Sequence, residues 1–100
     1  MDFKLIWTES AVEDLGAVVR YVSSQHGPAT ARKIGFGIYD RVQILTRFPE
    51  AGSNLPEKDD TSWRKLIYKT WKIAYKVDFD AKLIYLARVW HASRNEIEIK

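Results

Sequence analysis

The sequence predicts an α+β domain of order β-α-α-β-β-β, and three observations carry that prediction. Hydrophobic residues recur with a period of about 3.6 through the first half of the chain. From Trp63 onward the period changes to two, and the stretch Pro49 to Ser62, rich in proline, glycine and acidic side chains, separates the two regimes. With 100 residues, the chain has the size of one domain with one core, spanning residues 1–100.

The elements follow in order. "FKLIW", Phe3 to Trp7, is a short apolar run that stops at Thr8-Glu9-Ser10, as a first strand would. Ser10-x-x-Glu13 has the spacing of a capping box and predicts a helix start, and behind it Ala11, Leu15, Val18 and Val22 make an apolar stripe. Gly27-Pro28 ends this helix and opens the next, because glycine accepts a left-handed backbone and proline suits a first helical turn. The second stripe is Ala31, Ile34, Ile38, Val42, Leu45 and Phe48, and Pro49 closes it. Gly35 and Gly37, each costing about 1 kcal/mol in a helix, are expected to let the two helices approach closely.

Residues Pro49 to Ser62 read as a loop. Then Trp71, Ile73, Tyr75, Val77 and Phe79 share one face of a strand, while Lys72, Ala74, Lys76 and Asp78 share the other, open face. Asp78 to Lys82 is a turn. "KLIYLARVW" after it is almost continuously apolar, which predicts an interior strand.

Composition narrows the function classes. Hydrophobic residues make up 46% of the chain and charged ones 29%, which is globular rather than disordered composition. No cysteine is present, so disulfides and thiolate metal sites are excluded and a cytoplasmic location is expected. No apolar run reaches the roughly 18 to 20 residues of a membrane span, and "MDFKLIW" lacks the layout of a signal peptide. Asp59, Asp60, Asp78 and Asp80 fall in separate loops without a paired histidine motif, so neither a metal nor another cofactor is expected. Charge is unevenly distributed: Trp63 to Arg94 carries a net +6, and the remainder −3. An anionic partner for the C-terminal half is the expectation.

Basic residues alternating with aromatic ones suit RNA, whose phosphates take the charge and whose bases stack. Trp71, Tyr75 and Phe79, however, share the core parity, which makes them packing residues. Lys72 and Lys76 point the other way. His91 lies between Arg88 and Arg94, and a proton carrier beside phosphate-binding cations is the equipment of a metal-free nuclease, although no paired acid accompanies it. The facing of Arg88 depends on the last hairpin: a two-residue turn at Asp80-Ala81 sets Ile73 opposite it, and a three-residue loop sets Lys72 there.

Four stretches, "ESAVEDLGAVVRYV", "VQILTRFPEAGS", "WRKLIYKTWKIAYKV" and "LARVWHASR", together resemble the RelE/ParE toxins of bacterial type II toxin–antitoxin modules over nearly the whole chain. The resemblance implies a helical hairpin packed on one face of a small, mainly antiparallel sheet. RelE-like members cleave mRNA on the ribosome, and for that reading the catalytic set is Lys72, Arg88, His91 and Arg94, with Lys72 where such members hold an arginine. Their terminal tyrosine has no counterpart, since "NEIEIK" follows Arg94. ParE-like members inhibit DNA gyrase by protein contacts, and the hairpin, with Asp14-Leu15, Tyr21, the Gly27 turn and the Leu45 to Gly52 exit, looks more like theirs. A ParE-like toxin of a plasmid-stabilisation module is therefore the expectation, with the RelE-like endoribonuclease and a non-toxic binding protein of the same fold as alternatives. The resemblance also implies a cognate antitoxin, expected to offer acidic and apolar residues, in a hetero-oligomer without a membrane. Arg64, Lys72, Lys76, Arg88 and Arg94 are the expected basic open face or partner surface, and Ile97 and Ile99 in the tail the expected target contacts.

Overall fold

Thr8 decides where the first helix starts. In the computed structural model, which describes residues 2–55 and 62–93, strand β1 (Lys4–Trp7) runs directly into helix α1 (Glu9–His26). Thr8 is the N-cap, its hydroxyl accepting from Ala11 N at 3.2 Å. The Ser10 capping box is thereby corrected: both Ser10 and Glu13 already lie inside the helix, and an earlier hydroxyl serves the free N–H groups. Gly27, at φ 90°, breaks the chain as expected, and α2 (Pro28–Val42) begins with proline in its first turn.

Ala11, Val18 and Val22 of α1 and Ala31, Ile38 and Val42 of α2 are buried, with Leu15 and Ile34 packed beside them. Beyond Val42 the helix tightens into a 3-10 helix, Gln43–Thr46, in which Leu45 remains buried. Three residues per turn instead of 3.6 rotates the residues beyond it, and Phe48 ends 60% exposed rather than on the core stripe. Gly35 answers the packing expectation, since a Cβ there would stand 3.1 Å from Val19 Cγ2 of α1. Gly37 does not. A Cβ at that position would enter the ring of Tyr68, so its missing side chain admits the sheet and not the other helix.

One five-stranded sheet lies under the hairpin in the order β1-β5-β4-β3-β2, with β3 (Trp63–Tyr68), β4 (Trp71–Asp78) and β5 (Leu83–His91). β1 pairs parallel with β5, and the other neighbours are antiparallel. The expected loop contains a short additional strand, β2 (Ser53–Asn54), which pairs with Lys65 and Arg64 at the sheet edge. Trp71, Ile73, Tyr75 and Val77 face the helices and are buried as their parity requires. Phe79 is half exposed in the turn, where it meets Phe3 edge to face at 5.8 Å. On the reverse face Ala74 is fully buried beneath a small cluster of Leu55 and Trp90 with Trp63, so that face is covered at its centre.

Tyr75 ties the loop to the core. Its hydroxyl donates to Pro49 O at 2.8 Å and accepts from Gly52 N at 2.9 Å, while burial pushes its pKa above the ordinary 10.0, against the pull of the Gly52 hydrogen bond. Tyr75→Phe leaves both backbone groups without that partner and should lower stability by about 1–3 kcal/mol. The raised pKa fixes the pH dependence: the folded state holds a proton that the unfolded state releases, so this contribution is present below pH 10.0 and fades as pH rises further. Melting temperatures of the two proteins should therefore differ by a constant amount at neutral pH and converge in alkali.

Candidate functional site

Register places the lysines. Lys72 stands opposite Ile67 on β3 and Trp90 on β5, Lys76 opposite Trp63 and Tyr85, and Lys65 opposite Ala74. All three therefore share the face away from the helices, and Lys76 holds its Nζ 5.7 Å above the ring of Trp63. Arg64 does not join them. It stands opposite Tyr75, on the helix side, where Nη1 donates to Gly52 O at 2.7 Å and Nη2 meets Glu50 at 3.3 Å. The assignment of Arg64 to the open face is corrected by the period of two: neighbours of Lys65 in the strand must face the other way.

Arg88 is placed by a bulge. The hairpin closes through four residues, Phe79 to Lys82, with Asp78 Oδ1 accepting from Ala81 N at 3.0 Å. Tyr75 pairs with Leu86 but Ala74 pairs with Arg88, so Ala87 is the extra residue and neither expected register holds throughout. At the same level β5 loses its other neighbour, because β1 pairs only as far as Trp7 with Leu86. The vacant edge is closed by side chains from the start of α1. Thr8 Oγ1 donates to Leu86 O at 2.7 Å and Ala87 O at 3.3 Å. Asp14 then accepts from Val89 N at 2.9 Å, from Arg88 Nε at 2.7 Å and from Arg88 Nη2 at 3.1 Å. This two-pronged pair, with Arg88 29% and Asp14 17% exposed, raises the Arg88 pKa through the hydrogen bond to Asp14, against the desolvation that lowers it. Arg88 thus stands opposite Ala74, on the face of the lysines as expected, but its guanidinium turns round the free edge of β5 to the Asp14 carboxylate of α1 and is a structural cation.

His91 stands opposite Trp71, whose ring it meets edge to face at 5.0 Å. That is the helix side. Its Nδ1 accepts from Ser93 N at 3.1 Å and lies 2.8 Å from Ser93 Oγ, so an N–H that can only donate fixes Nδ1 as the acceptor and leaves the ring proton to Nε2. The ring lines a cleft of about 370 Å³ with Asp14, Tyr21, Trp71 and Ser93. Lys72 and His91 consequently lie on opposite faces of one sheet and do not converge on a phosphate. Arg94, Ile97 and Ile99 lie outside the described residues. Among the described residues no three His, Asp or Glu side chains gather as metal ligands, and no helix is long and apolar enough to cross a membrane.

A second surface was not legible as a site. On the outer side of the hairpin Leu15, Val19, Ala31, Arg32, Gly35, Phe36 and Tyr39 line an almost wholly apolar groove of about 290 Å³. Phe36 is 66% exposed, and Tyr39 stacks on Trp7 of β1 with centroids 6.5 Å apart. The available signal was two aromatic rings placed off the core stripe of α2. Exposed rings of this kind, grouped around an apolar trough, mark an interaction surface.

The family model described as ParE toxin of type II toxin-antitoxin system, parDE, matches residues 5–96. Among solved structures, the chain is similar to one from the chromosomal ParDE toxin–antitoxin system of P. aeruginosa, at 24% identity and a TM-score of 0.75, over 89% of this chain and 95% of that one. It is also similar to a chain of the toxin–antitoxin complex RelBE2 from Mycobacterium tuberculosis, at 20% identity and a TM-score of 0.59, over 91% and 99% respectively. No curated protein matches the sequence.

Proposed function

The chain belongs to the ParE toxin family of type II toxin–antitoxin systems, and from that premise we propose that it arrests growth by binding DNA gyrase through protein contacts, in a plasmid-stabilisation module. The observation that carries this reading is the dispersal of the described members of the nuclease set. Arg88 is held by Asp14, and His91 sits across the sheet from Lys72. General acid–base chemistry needs its proton carrier within hydrogen-bond reach of the reacting group that the cations hold. A contact surface has no such requirement.

The toxin is restrained by a cognate antitoxin, whose apolar segment covers the hairpin groove around Phe36 and Tyr39. Two toxin–antitoxin structures among its neighbours support a partner of that class.

His91→Ala separates the gyrase reading from the endoribonuclease one. Induced in cells, the variant should still arrest growth within about twofold of the wild-type potency, and DNA-damage signalling should precede any loss of translation. Loss of a general acid or base would instead cost about 10² to 10⁴ in rate. A folded His91→Ala protein that no longer arrests growth, or an early collapse of translation with cleaved mRNA, overturns the gyrase reading.

A further inference from the structure

We propose that the helix-free face of the sheet is a non-hydrolytic docking surface for the phosphate backbone of duplex DNA, built from Lys65, Lys72 and Lys76. The target reading above concerns protein contacts with gyrase, and this surface stands or falls apart from it.

Three observations support the assignment. The first is register. Lys65 lies opposite Ala74, midway between Lys72 and Lys76 along the neighbouring strand, so the three cations succeed one another at steps of about 6.7 Å in the strand direction, alternating between β4 and β3. Flexible lysine stems at such steps can reach neighbouring phosphates of one duplex strand, whose charges follow one another about every 3.4 Å of helix axis.

The second is the lack of internal compensation. Among the described residues none of the three lysines forms an ion pair, and Lys65 and Lys72 are half-buried, which holds their positions while leaving their charge unneutralised. The carboxylate of this face in β4, Asp78, stands at the far end of the strand and is engaged by Ala81 N. Arg64, in contrast, lies on the helix side beside Glu50, and Arg88, which stands opposite Ala74 on the lysines' face, is matched to Asp14 of α1. Among the described residues, cations outnumber acids on this face, with Asp78 at its far end the carboxylate of β4, which is the footprint of an anionic partner.

The third observation selects the kind of polyanion. Single-stranded nucleic acid is held by rings on which bases stack. Here Trp63 lies beneath the Lys76 ammonium, and Trp90 is buried with Leu55 and Ala74. Trp63 and Trp90 so occupied do not offer free stacking faces, and half-buried Tyr85, opposite Lys76, is a single ring where successive bases need several, whereas lysine, a point charge on a flexible stem, suits phosphate contacts without base readout.

The test uses a fluorescein-labelled duplex of about 20 base pairs, arbitrary in sequence, titrated with the purified toxin between roughly 50 and 200 mM salt. Three lysine–phosphate contacts predict a slope of log affinity against log salt near −2.7, at about 0.9 per contact. The variant Lys65→Gln/Lys72→Gln/Lys76→Gln should bind at least about tenfold more weakly at the low-salt end, with the slope brought close to zero. Arg20→Gln/Lys33→Gln/Arg47→Gln, an equal change of net charge on the helical side, should keep both affinity and slope. Circular dichroism melting certifies that each variant is folded. Should the first fail to fold, the single lysine variants carry the test, each removing about one unit of slope. Equal losses in the two triple variants, binding indifferent to salt, or tighter binding to single-stranded RNA of the same length would each overturn the proposal.

Discussion

Asp14→Ala should lower the stability of the domain by about 2 kcal/mol, the range for losing charge-assisted hydrogen bonds at a half-buried site. The size reflects how much one carboxylate does. It accepts from the Arg88 guanidinium at two positions and from Val89 N at the edge of β5. Deletion takes the Asp14 carboxylate from a half-buried guanidinium and the acceptor from a backbone donor, and both deficits have the same sign. Urea denaturation followed by fluorescence provides the measurement, and the midpoint should fall without change in slope. Asp14→Asn should recover part of the loss, because an amide oxygen still accepts from Val89 N. A loss below about 1 kcal/mol for Asp14→Ala, the range of exposed surface pairs, would show that the edge closes without it.

Phe36→Asp should weaken binding of the cognate antitoxin by about 100-fold while leaving the fold intact, because the ring is mostly exposed in the isolated toxin and, in the proposed docking, is buried only by the partner. A charged carboxylate in an apolar trough lined by Leu15, Val19 and Ala31 adds desolvation to the lost contact. Calorimetric titration of the two toxins with the antitoxin gives the ratio directly. Unchanged affinity in a folded variant would place the antitoxin elsewhere, with the cleft beside His91 and Trp71 as the next surface to examine.

The two regimes of hydrophobic period were enough to read the helical hairpin and the three long strands, because each element buries one face and its pattern is local. What escaped was set by contacts distant in sequence. Ser53 and Asn54 form a strand only because Lys65 and Arg64 lie beside them, and a two-residue segment carries no period. The facing of Arg88 depended on Ala87 bulging where β1 ends, a fact belonging to three strands at once. Asp14 was visible as an acidic residue on a helix, but its role required knowing that β5 runs past β1 by several residues. The candidate site suffered the same limit. Lys72 and Lys76 were placed correctly by alternation alone, whereas His91, close to them in the sequence pattern, belongs to the opposite face because the bulge alters parity within β5.

The hand-over of β5 from a strand to side chains has a consequence for how the free toxin behaves in solution. A sheet edge is a template on which other chains can add strands, and its length sets the hazard. Here the two outermost strands have four and two residues, and where β5 leaves β1 behind, Leu86 O, Ala87 O and Val89 N are already occupied by Thr8 and Asp14. Among the described residues, the border along β5 therefore offers a second copy little backbone to pair with, whereas Leu66 to Tyr68 of β3 run past the two-residue β2. On the proposed function, a closed border would help a toxin released from its antitoxin to stay dispersed on the way to its target, and the same carboxylate that steadies the fold closes that border along β5.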